Sequence, residues 1–230
     1  MSDIKTIKII GGFKMSKKKN SKKKGLFIAF DGPDGSGKTT ATRSFVEELK
    51  KKGVNSELTR EPGGTKIGEE IRNILLDNNN TEMAPLTEAF LYTAGRAQHI
   101  EEKIKPLLKK DVTVVTDRFV ISSLAYQGEG RGLGIKKVKK INDYALNGLT
   151  PDITFFFAID YEEALNRKFI GRTADRIENE GSTFHKKIYK GYQKAIKNEK
   201  NVVIIDASKS PEEIVQQCLE AYEDFLKGNL

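Results

Sequence analysis

Residues 25–40 read GLFIAFDGPDGSGKTT. The apolar run Leu26–Phe30 has the length and composition of a strand buried on both faces. It stops at Asp31. Gly32-Pro33-Asp34-Gly35-Ser36-Gly37-Lys38-Thr39 then matches the spacing G-x-x-x-x-G-K-[ST] of a phosphate-binding loop. Glycines in such a loop let the backbone turn its N–H groups toward phosphate oxygens. Lys38 is placed to reach the β- and γ-phosphates of ATP, and the Thr39 hydroxyl to ligate Mg²⁺. Thr40 to Lys51 reads as a helix whose N-terminal dipole favours the same anion.

The formal charge of +8 over 230 residues invites a nucleic-acid reading, and the distribution of charge removes it. Residues 1–24 hold nine lysines and one aspartate, so the remaining 31 basic and 31 acidic residues balance. A neutral folded part has no electrostatic footprint for nucleic acid. Residues 1–24 read as a disordered, solubilising basic tail, with an apolar part too short for a signal peptide or membrane span. Residues 25–230 read as a single domain. One cysteine, Cys218, excludes an internal disulfide and suits the reducing cytoplasm. It lies on the apolar face of a helix from Pro211, as core packing. His99 and His185 have no neighbours at metal-ligand spacing and default to structural or surface roles.

Strands are expected at Val54–Thr59, Val112–Thr116, Ile153–Ile159 and Val202–Asp206. Helices are expected at Ile67–Leu76, from Pro85 to about Lys110, at Ile135–Leu146, Tyr161–Phe169 and Ser182–Asn198, and from Pro211. Ser122 to Gly134 is glycine-rich with few apolar anchors. The alternation implies an α/β fold: a five-stranded parallel sheet with helices on both faces. Asp117, ending a buried strand, is an expected Mg²⁺ partner. No guanine-reading N-K-x-D segment is present. Arg60, Arg96, Arg118, Arg172 and Arg176 fall at or near element ends, and several arginines on one crevice suit two phosphorylated ligands.

FDGPDGSGKTT at 30–40, TREPGGT at 59–65, DRFVISSLAYQG at 117–128 and DRIE at 175–178 occur in the order of one family. Together they make residues 25–230 resemble a thymidylate kinase, a P-loop nucleoside-monophosphate kinase that phosphorylates dTMP with ATP. The resemblance implies a role for each matching residue. Asp34 would face the sugar 3′-hydroxyl, and Arg60 and Arg118 would hold the dTMP phosphate. Tyr92 would stack on thymine, with Arg96, Ser123 and Gln127 as polar contacts to the base. Tyr126 would lie against C2′ of the sugar. It further implies a homodimer and an arginine-bearing lid at about 168–181.

Two positions depart from the family pattern. Phe119 replaces a frequent tyrosine, and Ile121 a frequent aspartate that could approach the magnesium. Gly35 places the chain with members that have glycine in the loop and arginines in the lid. Arg172 or Arg176 is therefore expected to close on the transferring phosphates, oriented by Asp175. A kinase for another nucleotide or a deoxynucleoside, and a non-enzymatic nucleotide-binding module, remain as alternatives. A nucleoside acceptor would not need Arg60 and Arg118 as a phosphate clamp, and the acceptor-site residues argue against the module.

Overall fold

The computed structural model describes residues 9–10, 25–168, 174–197 and 199–228. A two-residue strand, β1 (Ile9–Ile10), precedes β2 (Phe27–Asp31), β3 (Ser56–Arg60), β4 (Thr113–Asp117), β5 (Ile153–Ala158) and β6 (Val202–Asp206). The sheet order is β1-β6-β5-β2-β4-β3. The last five strands are mutually parallel, as the alternating pattern implies. β1 differs. Ile9 and Ile10 pair antiparallel with Val203 and Val202, contrary to a tail without secondary structure. They occupy the edge that β6 would otherwise leave unpaired. The rest of residues 1–24 lies outside the described residues.

Both faces of the sheet are covered. α1 (Lys38–Lys51) packs on one face, and α2 (Lys66–Leu76), α3 (Pro85–His99), α4 (Lys105–Lys109), α5 (Val120–Ser123) and α6 (Ile135–Leu146) follow in the chain. α7 (Tyr161–Lys168), α8 (Ser182–Ile196) and α9 (Pro211–Lys227) complete it. Alternation along β2 divides the core. Ile28 and Phe30 face α1 and α9, whereas Phe27 and Ala29 face Ile100 and Ile104 just beyond α3, and α5, α6 and α8. Cys218 is fully buried in the first of these clusters, the packing role read from its helical face.

The long helix from Pro85 contains a widened π-turn over Ile100–Ile104, where the Lys105 N–H reaches the Ile100 carbonyl. Pro106 lacks an N–H for the helical ladder, and the wider turn just before it absorbs the mismatch. The glycine-rich run also departs from its appearance in sequence. α5 continues as a π-helix over Leu124–Gly130, and almost all of it is buried. Its glycines serve close packing: a Cβ on Gly130 would stand 3.0 Å from the Ile188 and Phe184 side chains of α8.

Phe45 of α1 is fully buried among three rings, with centroids 5.3 Å from Phe30, 5.6 Å from Phe155 and 5.9 Å from Tyr222. Phe45→Ala should cost about 3–5 kcal/mol through lost burial and a residual cavity. Urea unfolding checks this: the midpoint should fall with an unchanged slope.

Candidate active site

Parallel strands deliver their C-terminal ends to one edge, and ligands of such sheets bind there. β2 ends at Asp31 and runs into the glycine-rich loop. Gly35 takes φ 80°, and a Cβ there would meet the Ala164 carbonyl oxygen at 2.0 Å, so no other residue fits. Gly37, also left-handed, is the N-cap of α1 and offers no side-chain cap. α2 and α9, by contrast, are capped by Thr65 and Ser210. The first-turn amides of α1 are thus left for an anion, as the sequence around Lys38, Thr39 and Thr40 implies. Lys38 is buried, and its Nζ donates to the Pro33 carbonyl at 3.1 Å. Burial, and then the charge of Arg118, lower its ammonium to about 8.

β4 lies beside β2 with Asp117 opposite Phe30. The Thr39 Oγ1 donates to Asp117 Oδ2 at 2.5 Å, while Asp117 Oδ1 is buried without a hydrogen-bond partner. Arg118 follows with φ 72°. Its guanidinium pairs with Asp34 and donates to the Gly32 carbonyl at 3.2 Å, Ser122 at 3.0 Å and Tyr192 at 2.9 Å. Tyr126 donates to the other oxygen of Asp34 at 2.7 Å. Beneath them Asp31 is wholly buried, accepting from the Phe119 amide at 3.2 Å and from the Ser122 hydroxyl. Burial pushes its carboxyl up to about 6, against the opposing pull of Ser122 and Arg118.

A cleft of about 310 Å³ opens from this corner. Asp34, Lys38, Thr39, Arg60, Tyr92, Arg96, Asp117, Arg118, Ser123, Tyr126 and Gln127 all line it, which gathers most of the residues singled out in the sequence. Among the described residues Arg60 is held by an exposed ion pair with Glu69 at 2.8 Å, weak enough to exchange for a ligand. Arg96 is different. Its Nε and terminal nitrogens engage Glu61, Ser123, Asn142 and the Phe119 carbonyl, so all five N–H groups have acceptors. It forms the floor of the cleft. Glu61 in turn contacts His99 at 3.0 Å, and His99 contacts Thr59 at 2.7 Å, giving that histidine the structural role expected of it.

Arg176 corrects the expectation of a phosphate-facing lid arginine. It is buried, with Nε donating to the Leu75 carbonyl at 2.8 Å and a terminal nitrogen to Glu88 at 2.8 Å. Among the described residues the Asp175 carboxylate caps the following turn, accepting from the Ile177 and Glu178 amides at 3.0 and 2.9 Å, and it does not hydrogen-bond Arg176. Arg172 lies outside the described residues. Ile121 packs into the apolar cluster and is not among the residues lining the cleft, so its replacement of an aspartate leaves the Thr39–Asp117 corner intact. Arg72 and Arg43 line the cleft unforeseen, Arg72 fixed to the Pro62 carbonyl at 2.9 Å. Glu88 was also missed. Its spacing from Tyr92 and Arg96, four and eight residues, put it on their helical face and was the available signal.

The family model described as Thymidylate kinase matches residues 30–218. The chain belongs to the thymidylate kinase family. It is 50% identical over 195 residues to the thymidylate kinase of Finegoldia magna, covering 85% of this chain and 96% of that protein. The corresponding protein of Bacillus pumilus is 44% identical over 208 residues, covering 89% and 98%. As a family member the chain is a phosphotransferase that uses nucleotide substrates.

No group of three His, Cys, Asp or Glu side chains among the described residues could hold a metal alone. A Mg²⁺ ion nevertheless fits the Thr39–Asp117 corner, because the partnerless Asp117 Oδ1 and the Thr39 hydroxyl are hard oxygen donors. Mg²⁺ ordinarily completes its shell with water and substrate phosphate. A bound triphosphate should restore the Lys38 charge that burial suppresses. At about pH 8.5, ATP binding should therefore take up protons, and at about pH 6.5 none through this group. Calorimetry in buffers of different ionisation enthalpy measures it, and Lys38→Arg should abolish the uptake.

Proposed function

We propose that the chain transfers the γ-phosphoryl group of ATP to dTMP, giving dTDP and ADP in the cytoplasm, and that it does so as a homodimer. The observation that carries this reading is the Asp34–Arg118 pair. It joins the phosphate loop to the strand end from which the cleft opens, so two phosphorylated ligands would meet across it. The dimer is supported by exposed apolar side chains on the neighbouring helices α2 and α3: Phe90 is 53% exposed, and Ile67, Ile74 and Leu86 are exposed as well.

The nucleophile is an oxygen of the dTMP phosphate, already anionic, so no strong general base is needed. The protein's task is to place two polyanions in line and neutralise the charge between them. The loop amides and Lys38 hold the β- and γ-phosphates. Thr39 and Asp117 would hold Mg²⁺, which would supply neutralisation of phosphate charge when bound. Arg118, positioned by Ser122 and Tyr192, and Arg60 hold the acceptor phosphate. Asp34 and Tyr126 bound the sugar, where Tyr126 crowds a 2′-hydroxyl. Tyr92 stacks on the base, and Ser123 and Gln127 meet its edge. Arg172 is the remaining candidate for an arginine on the transferring group. Arg176 acts through position alone.

A coupled ADP-release assay over dTMP, dCMP, dGMP and dAMP tests the reading. dTMP should be turned over fastest, and equal or faster turnover of another monophosphate would contradict it. In the same assay Tyr126→Ala should narrow the preference for dTMP over its ribose counterpart.

A further inference from the structure

Glu88 on α3 is fully buried, with one carboxylate serving three partners. Arg131 Nε donates to both of its oxygens at 3.1 Å, Arg176 to one at 2.8 Å, and Gln127 Nε2 to the other at 2.9 Å. Burial alone would raise this carboxyl, but the bonds from Arg131 and Gln127 outweigh it and hold Glu88 in its charged form. A charged carboxylate can only accept hydrogen bonds. Gln127 must therefore turn its NH₂ group toward Glu88. Its Oε1 takes no hydrogen bond from the described residues, and the side chain lines the cleft.

Ser123, one helical turn earlier, lines the same wall. Its oxygen accepts from Arg96 at 3.1 Å, which engages one lone pair and leaves the hydroxyl hydrogen for an acceptor on the ligand. The wall thus presents a donor beside an acceptor. Thymine carries the complement, a carbonyl oxygen at position 4 beside an N–H at position 3. Cytosine carries the reverse, an amino group beside a bare ring nitrogen.

We propose that Glu88 is a positioning residue that sets the base preference of the acceptor site by fixing the Gln127 carboxamide with its oxygen toward the cleft. This rests on the reading of the cleft as the dTMP site. Glu88 touches no substrate; it acts through Gln127. Without the charge, the carboxamide is free to turn and present NH₂, which suits cytosine.

The test is the ratio of kcat/KM for dTMP to that for dCMP. Glu88→Gln should lower the ratio by about tenfold, the worth of one misdirected hydrogen bond, with the change mainly in KM. Arg131→Met removes one of the groups that hold the charge; it should lower Tm, and lower the ratio by less than Glu88→Gln because Arg176 still pairs with the carboxylate. Gln127→Ala should lower the ratio by itself, and adding Glu88→Gln to it should change nothing further. If Glu88→Gln does not fold, Glu88→Asp keeps the charge for both arginines but withdraws it from Gln127, and should cost about threefold in the ratio. An unchanged ratio in the Glu88 variant or in Gln127→Ala overturns the proposal. So does an undiminished effect of Glu88→Gln in the Gln127→Ala background. A wild-type enzyme with no preference for dTMP over dCMP would instead overturn the acceptor reading beneath it.

Discussion

The parallel pairing of β2 with β4, with Phe30 opposite Asp117, is the constraint from which the site follows. It ends two adjacent strands at the same level, so the phosphate loop and the Asp117-Arg118 turn emerge side by side. The Arg118 amide closes the pairing onto the Phe30 carbonyl at 2.8 Å, and Asp31 reaches across to the Phe119 amide and the Ser122 hydroxyl. A buried carboxyl with its value pushed up to about 6 is costly in isolation, and here it is surrounded by donors from the neighbouring strand end. The cost is borne where it ties the donor half of the cleft to the acceptor half.

Arg96 does for the acceptor half what Asp31 does for that junction. Its guanidinium joins α3 to the loop after β3 through Glu61, to the turn after β4 through Phe119, and to α6 through Asn142. Buried ion pairs are poor sources of net stability, because desolvation offsets their attraction. Their geometry is nonetheless specific, since removing one partner leaves an uncompensated charge. Glu61, Arg96 and Glu88 share this logic. Each buried charge spends its contacts on fixing a neighbour, and beside them the neutral Ser123 and Gln127 line the cleft.

The frame was legible because its signals are local. Apolar runs marked all five parallel strands within a residue or two, and the phosphate loop carries its own spacing. The acceptor residues were legible through four motifs at family intervals. What escaped depends on distant partners. Arg176 sits in a glycine-opened, arginine-bearing stretch that reads as a lid, yet the Leu75 carbonyl and Glu88, far back in the chain, claim its guanidinium. Glu88 and Arg72 carry no motif of their own in the sequence, and only the packing of α2, α3 and the segment after α5 turns them inward. The glycine-rich run at 122–134 gave no helical signal because nothing in sequence shows α6 pressing against Gly128 and α8 against Gly130.

The central claim is that two phosphorylated ligands meet across the Asp34–Arg118 pair. A crystal structure with dTMP and an unreactive ATP analogue tests it most directly. The account predicts the triphosphate on the loop amides and Lys38, the dTMP phosphate on Arg118, and the base edge against Ser123 and Gln127. A dTMP phosphate bound away from Arg118, or a base outside the cleft floored by Arg96, would contradict it.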